Sequence, residues 1–295
     1  MTGAERGFLL LTGTLGDPDR KPLSTAQMRI LAARVAAAPR IHENRELLAE
    51  DIISLGYAEP MARRIISLLN QEDLLEYYLN KGQKFHCLPL SRAGRDYPVA
   101  ILQKLGLDAP GCLWAKGDLS LLRKPKVALV GSRNIRNNNR EFAAEVGRQA
   151  ARQGFVLVSG NARGADKAAQ EACLSSGGQV ISVVADELFT KKDTAGVLYF
   201  SEDGYDQPFS AQRALSRNRM IHALADKTFV AQCDLNMGGT WSGAVRNLQC
   251  NWSPVFCYAD GSNAMLELEQ MGAQMIGIQQ LVDMADLVPE TMSFL

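Results

Sequence analysis

The stretch LVSGNARGADKAAQ, Leu157–Gln170, decides the fold of this chain. A short apolar run ends at Gly160, a second glycine follows at Gly164, and an alanine-rich segment begins directly after it. This order predicts a buried strand, a tight turn and a helix. Because backbone N–H groups at the start of a helix attract anions, the turn is a candidate phosphate-binding site.

The same order of strand, turn and helix repeats through the rest of the chain. From Lys126 onward, continuous apolar runs typical of buried strands alternate with helical segments. Such alternation indicates βαβ units with parallel strands and right-handed crossovers. The sequence therefore predicts an α/β fold with a Rossmann-like, doubly wound and mostly parallel sheet. In such a sheet ligands bind beyond the carboxyl ends of the strands, where the glycine turns lie.

The first part of the chain has a helical pattern instead. From Ser24 to about Asn80 apolar residues recur at helical spacing. We interpret residues 1–84 as a small all-helical domain and residues 85–295 as the sheet domain with its lead-in segment. Short strands are expected at residues 85–88 and 112–116, an irregular loop at 196–209 and a final helix at about 279–287. No winged helix is expected after the sheet.

Composition excludes several classes of protein. Lys+Arg and Asp+Glu both number 32 in 295 residues, so the net charge is zero and any site for a polyanion must be a local patch. The six cysteines have no zinc-site spacing, so no metal is expected. No apolar run is long enough for a membrane span, and the N-terminus is a poor signal peptide. We therefore expect a cytoplasmic protein.

Three glycine turns and one arginine-rich segment form the predicted binding site. The turns lie at residues 130–134, 159–166 and 236–243, and the segment RNR follows at 217–219. Guanidinium groups bind phosphate bidentately, so the arginines of these segments predict a local positive pocket. The predicted phosphate-binding or nucleic-acid-binding residues are Gly131, Ser132, Arg133, Gly160, Arg163, Gly164, Arg217, Asn218, Arg219, Gly238, Gly239 and Thr240, with Thr240 as a helix N-cap.

The common nucleotide-binding fingerprints are missing. G-x-G-x-x-G does not follow the first strand of the sheet domain, and G-x-x-x-x-G-K-[ST] does not occur. An NAD-dependent enzyme or a P-loop ATPase is therefore disfavoured. No cofactor is expected.

Several segments resemble the DNA-processing protein A (DprA/Smf) family, whose Rossmann-like domain belongs to the SLOG superfamily. The resemblance extends from Ser24 to Leu287, and the N-terminal helices are similar to the family's SAM-like domain. The segments that carry it are VALVGSRN (127–134), LVSGNARGADKAAQEACLSSGGQVISVV (157–184), RNRMIHALAD (217–226), LEQMGAQMI (268–276) and the lead-in DYPVAILQKLGLDAPGCLWAKGDLSLL (96–122).

The resemblance implies single-stranded DNA binding without chemistry. It implies protection of incoming DNA, loading of a RecA-type recombinase during natural transformation, and a homodimer formed through the Rossmann-like domain. By motif match it assigns DNA binding to Ser132, Arg133, Gly160, Arg163, Gly164, Arg217, Asn218 and Arg219. Backbone N–H groups and arginine side chains would then bind phosphates with little sequence preference.

A different function remains open within the same superfamily. The segment MGGTWSGAVRN, residues 237–247, is similar to the start of the motif P-G-G-x-G-T-x-x-E of nucleotide phosphoribohydrolases, but it has no Glu at the matching place. The alternative is therefore a sensor of a nucleotide derivative or a nucleotide hydrolase, in a setting such as phage defence. Asp166 is the nearest candidate carboxylate, although an acidic residue in the first turn of a helix commonly serves the helix dipole. An enzyme is not the favoured interpretation.

Aromatic residues and one histidine complete the set of candidates. Trp114, Trp241 and Trp252 could stack on bases but fit core positions better. Tyr199 and Phe200 are weaker stacking candidates in the expected loop. His222 is a lone histidine on a helix and is interpreted as a surface or packing residue.

Overall fold

The computed structural model describes residues 1–38 and 46–288. In these ranges a nine-stranded sheet forms the centre of the molecule. Its strands are β1 (Leu88–Ser91), β2 (Cys112–Lys116), β3 (Lys126–Val130), β4 (Val156–Ser159), β5 (Gln179–Val184), β6 (Val197–Glu202), β7 (Lys227–Val230), β8 (Val255–Tyr258) and β9 (Gln274–Ile276).

Helices precede the sheet and connect its strands. Those of the described ranges are α1 (Gly3–Thr12), α2 (Thr25–Ala37), α3 (Ala49–Ser54), α4 (Glu59–Leu69), α5 (Glu72–Lys84), α6 (Val99–Leu105), α7 (Asn137–Arg152), α8 (Ala165–Ser175), α9 (Ala211–Leu224), α10 (Gly238–Cys250) and α11 (Asn263–Gln270). None of them has the length and apolar character needed to span a bilayer.

The strand order defines a doubly wound sheet. The order is β1-β2-β6-β5-β4-β3-β7-β8-β9, and every pair from β6 to β9 is parallel. From β3 the chain proceeds outward through β4, β5 and β6, then returns to the other side of β3 to form β7, β8 and β9. The predicted fold class is confirmed. The reversal places the topological switch point between β3 and β7, where open α/β sheets bind ligands.

Apolar residues on both faces of the sheet explain why helices cover both sides. On one face Phe142, Val146 and Ala169 of α7 and α8 pack against the strands. On the other face Met220 and Trp241 of α9 and α10 do so. All residues of β3 and β4 are buried, which is why these strands are apolar without alternation.

Three local predictions need correction. The expected loop at 196–209 contains strand β6, which pairs in parallel with β5 and antiparallel with β2. The strand expected at residues 85–88 lies at Leu88–Ser91, whereas the one at 112–116 is confirmed. The expected final helix is a short 3-10 helix at Ile278–Asp283. Glycines at both ends of β6 gave the segment the sequence character of a turn, and only pairing with two neighbours makes it a strand.

The N-terminal helices pack on the edge of the sheet through aromatic residues. Tyr78 of α5 stacks on Tyr205 with ring centroids 4.4 Å apart and meets Trp114 of β2 edge-on at 5.3 Å. Its hydroxyl donates a hydrogen bond of 2.6 Å to Asp206 Oδ1. The helical segment therefore contacts the loop that connects β6 to α9.

Candidate nucleic-acid interface

A cavity of about 480 Å³ opens at the switch point of the sheet. Val130, at the end of β3, and Cys233, just after β7, line its inner end, while α9 and the start of α10 form its walls. The cavity lies beyond the carboxyl ends of parallel strands, as the sequence predicted for a ligand site. Its volume falls within the range of about 300–1,000 Å³ typical of small-molecule sites.

Most of the predicted residues line this cavity, but four do not. Gly160, Arg163, Gly164 and Arg219 lie outside its lining. The predicted residues that line it are Gly131, Ser132, Arg133, Arg217, Asn218, Gly238, Gly239 and Thr240.

Arg217 of α9 enters the cavity from a buried position. Only 7% of the residue is exposed, and its Nη1 donates a hydrogen bond of 2.9 Å to the carbonyl oxygen of Val183. Burial lowers the pKa of Arg217, and the nearby Asp166 carboxylate opposes that effect. Its Nε makes no hydrogen bond with the described residues. The guanidinium group therefore has donors to offer to an anion in the cavity.

Backbone N–H groups of the turn after β4 are already hydrogen-bonded to other groups of the protein. Asp166 Oδ2 accepts hydrogen bonds from the backbone N–H groups of Gly160 (3.0 Å) and Ala162 (3.2 Å). The N–H of Ala165 donates to the carbonyl oxygen of Ser132 at 3.2 Å. The N–H groups of Gly160 and Ala162 are therefore not free to hold a phosphate in this conformation. Burial raises the pKa of Asp166, and Arg217 opposes that shift.

Glycines in this turn allow it to pack against its neighbours. Gly164 has a φ of +86°, and a Cβ there would lie 2.5 Å from the Ser132 oxygen and 2.6 Å from the Arg133 oxygen. A side chain at this position would therefore separate the two turns. Gly164 supports the site by holding the Ser132–Arg133 turn in place.

Arg133 stands at the mouth of the cavity beside an aromatic residue. Arg133 is exposed, and its guanidinium carbon lies 6.0 Å from the ring centroid of Phe209. Phe209 lines the cavity and is 54% exposed. The sequence analysis did not single out Phe209; the signal that could have found it was an aromatic residue in a polar loop just before the RNR segment.

The start of α10 faces the cavity without a side-chain cap. Met237 occupies the N-cap position and makes no side-chain capping bond, and Gly238 follows with a φ of +80°. The predicted N-cap role of Thr240 is therefore wrong, because Thr240 is the third residue of the helix. An uncapped helix N-terminus is suited to an anion because its first N–H groups lack intrahelical partners.

Two predicted arginines have other surroundings. Arg219 forms a partly buried ion pair with Glu202 and donates a hydrogen bond of 2.9 Å to the carbonyl oxygen of Asp108. Burial raises the pKa of Glu202, and Arg219 opposes that shift. Arg163 is exposed. Of the four predicted arginines, Arg133 and Arg217 line the cavity, whereas Arg163 and Arg219 lie outside its lining.

The charge of the cavity lining is balanced. Arg133 and Arg217 contribute two positive charges, while Asp166 and Asp234 contribute two carboxyl groups. Asp166 is engaged by the turn after β4, as described above. The positive character is therefore local, at the two guanidinium groups, and does not extend over the whole cavity.

The remaining candidates are mostly core residues. Trp114, Trp241 and Trp252 are buried, as the core interpretation predicted. Phe200 is buried within β6, and Tyr199 of the same strand is half-buried outside the cavity. His222 is completely buried and lines the cavity, so the packing interpretation is correct and a surface position is excluded.

The fold and the site define an open, doubly wound α/β protein with a cavity at its switch point. Residues 90–286 match the sequence profile of the family described as DNA recombination-mediator protein A. The chain belongs to this family, which confirms the resemblance seen in the sequence motifs.

Individual relatives agree with this assignment. DNA processing protein DprA of Streptococcus pneumoniae is 34% identical over 142 residues, which is 44% of this chain and 50% of the relative. Protein Smf of Escherichia coli is 30% identical over 154 residues, 48% of this chain and 40% of the relative. By sequence, the chain thus spans half or less of these curated relatives.

Solved structures extend the likeness further. The X-ray structure of DprA from Streptococcus pneumoniae matches with a TM-score of 0.72 and 27% identity, covering 98% of this chain and 99% of that one. A structure of DprA from Helicobacter pylori matches with a TM-score of 0.57 and 28% identity, covering 68% of this chain and 96% of that one. The second is described by its single-stranded DNA binding mode.

Proposed function

We propose that this protein binds single-stranded DNA at the switch-point cavity. One observation carries the proposal: Arg133, Arg217 and the uncapped start of α10 face one cavity in a member of a DNA-processing family. The Helicobacter pylori relative, described as binding single-stranded DNA, supports the same ligand here.

The described contacts suggest how the strand is held. Arg133 and the hydroxyl of Ser132 meet a phosphate at the mouth, and the free N–H groups of α10 meet the same or the next phosphate. Arg217 adds donors from inside the cavity, and Phe209 offers a face on which a base can stack. Affinity then falls steeply with salt, because phosphate neutralisation releases counterions.

Family membership supports a wider role. We propose that the protein protects single-stranded DNA and assists the loading of a RecA-type recombinase during DNA uptake and recombination. We also propose that it works as a homodimer in the cytoplasm. Light scattering tests the dimer, and a strand-exchange assay with a recombinase tests the loading role.

Fluorescence anisotropy with labelled oligonucleotides at several salt concentrations tests DNA binding. Arg133→Ala should weaken binding to all sequences alike and reduce the salt slope by about one. Arg63→Ala is the matched control, because Arg63 is an exposed arginine on α4 whose one ion pair among the described residues is with Glu59. A protein that binds no oligonucleotide at low salt would contradict the proposal.

A second function is favoured by one feature of the cavity. The carboxyl group of Asp166 lines it, and only one of its oxygens is bonded to the described residues. A small nucleotide bound there would meet both this carboxyl group and Arg217, so a nucleotide sensor or hydrolase remains the alternative proposal. A sensor would show a thermal shift with a nucleotide and none with DNA. A hydrolase would release base from nucleoside monophosphates, and Asp166→Asn would abolish the release.

A further inference from the structure

The inner wall of the cavity contains a histidine with an unused ring nitrogen. His222 is fully buried, and its Nε2 makes no hydrogen bond with the described residues. Burial lowers the pKa of His222 to about 4, so the ring is neutral at physiological pH. A buried polar atom without a partner is uncommon in native proteins, which implies that something in the cavity supplies one.

A chain of polar groups reaches the other ring nitrogen of His222, Nδ1. Asn247 Nδ2 donates to Ser253 Oγ at 3.1 Å, and Ser253 Oγ lies 2.8 Å from Thr228 Oγ1. Thr228 Oγ1 in turn lies 3.3 Å from His222 Nδ1. We assign the chain so that Ser253 donates to Thr228 and the Thr228 hydroxyl donates to Nδ1. The proton of the neutral ring then lies on Nε2, and the NMR measurement below distinguishes this tautomer from the one with the proton on Nδ1.

The neighbouring helix packs its glycine backbone against this nitrogen. A Cβ at Gly243 of α10 would lie 3.0 Å from His222 Nε2, and one at Gly239 would lie 3.0 Å from Asn218 Nδ2. Both positions are glycine, so α10 presents backbone and no side chain to this part of α9.

The position of His222 relative to Arg217 indicates the kind of ligand. The two residues are five positions apart on α9, or about 7.5 Å along the helix axis. Arg217 and His222 nevertheless line the same cavity. Val130 and Ile221 also line it, and these apolar residues suit the faces of a ring.

We propose that His222 donates a hydrogen bond from Nε2 to an acceptor on a nucleobase that enters the cavity, and that it is a specificity-determining residue of the site. This inference rests on the proposed DNA binding. Carbonyl oxygens and ring nitrogens on base edges are the acceptors it would meet. The sugar–phosphate backbone would be held by Arg133 and Arg217 instead.

The test compares two ligands of equal charge and length: oligo-dT and an oligonucleotide made of abasic residues. His222→Phe should weaken oligo-dT binding about fivefold, the effect of one lost hydrogen bond between neutral groups, and leave the abasic ligand unchanged. Arg133→Ala should weaken both ligands. Equal losses for both ligands with His222→Phe, or no loss for either, would overturn the inference.

Nitrogen-15 NMR of the wild-type protein provides a measurement that does not depend on a variant. The chain has three histidines, so the ring spectrum is simple. His222 should show an unprotonated Nδ1 and a protonated Nε2, and oligo-dT should shift the Nε2–H resonance while the abasic ligand does not. A proton on Nδ1, or an Nε2–H that responds to neither ligand because it bonds an ordered water, would overturn the inference. Wild-type protein that binds neither ligand would instead contradict the proposed function itself.

Discussion

The guanidinium group of Arg217 lies directly against the α-carbon of Gly160, so that any side chain at residue 160 requires this group to move. This contact joins the glycine turn after β4 to the arginine-rich segment of α9. Gly160 is therefore important for the position of Arg217, and its own N–H is bonded to Asp166. The close approach of Arg217, rather than an open site for an anion, explains why residue 160 is a glycine.

The first prediction is that Gly160→Ala weakens DNA binding by displacing Arg217. The added methyl group overlaps the guanidinium group, which must leave the carbonyl oxygen of Val183. We expect a loss of affinity of about tenfold or more, because a charge-assisted hydrogen bond is worth about 1.5–3 kcal/mol. Anisotropy titration at one fixed salt concentration measures it.

Gly177→Ala is the control for this prediction. Gly177 lies before β5, has a φ of +77° and has open space around its α-carbon. The substitution should lower stability by about 1 kcal/mol through backbone strain without changing affinity. If both variants bind DNA like the wild type, Gly160 does not position Arg217.

The second prediction separates the two arginines of the RNR segment. Arg219→Ala should destabilise the fold by about 3–5 kcal/mol, because it leaves the buried Glu202 without its partner. Arg217→Ala should instead mainly weaken DNA binding. Urea denaturation followed by binding measurements on the folded fraction distinguishes the two effects.

The loss of stability in Arg219→Ala should depend on pH, because the pKa of Glu202 is raised in the fold. Burial raises the pKa of Glu202 above its unfolded value, so the carboxyl group favours folding at low pH and loses that contribution as the pH rises. Without Arg219 the pKa rises further. The difference in the free energy of unfolding between the wild type and Arg219→Ala should therefore be smallest near pH 4 and grow toward neutral pH. A difference that does not depend on pH would contradict this account.

The third prediction concerns acid stability. His222 has a pKa of about 4 in the fold against 6.5 in the unfolded chain, so its stabilising contribution is complete above pH 6.5 and is lost as the pH falls toward 4. The loss amounts to about 3 kcal/mol. His222→Phe should remove this part of the acid dependence. Free energies of unfolding at pH 7 and pH 4.5, for the wild type and for His222→Phe, measure this loss. An equal acid dependence in the two proteins would contradict the lowered pKa of His222.

The fourth prediction concerns the N-terminal helices. Tyr78→Phe keeps the ring contacts with Trp114 and Tyr205 but removes the hydrogen bond to Asp206. The loop that carries Phe209 should become less ordered, and DNA should dissociate several-fold faster with an unchanged salt slope. Stopped-flow dissociation measures this, and Tyr77→Phe, at an exposed tyrosine of the same helix, is the control. Identical rates in the two variants would show that the helices do not support the loop.

The sequence determined much of the fold through local patterns. Apolar runs such as VALV and VLVS could only be buried parallel strands, and glycine turns after them placed a ligand site at one edge of the sheet. Eight of the predicted residues line the cavity. Those that follow β3 and β7 do so because the ends of neighbouring strands meet there, whereas Arg217 and Asn218 reach it from α9. Strand β6 was missed because its signal depends on its partners β2 and β5.

Only the tertiary structure decided the role of each polar side chain. Arg217 and Arg219 are two positions apart on α9, which turns them to different sides of the helix. One therefore faces the cavity and the other pairs with Glu202. In the same way, Asp166 closes the turn after β4, and His222 lines the cavity with a ring nitrogen that has no partner among the described residues. Sequence spacing fixes which residues share an element, but the partner of a charged or polar group is set by packing between elements distant in the chain.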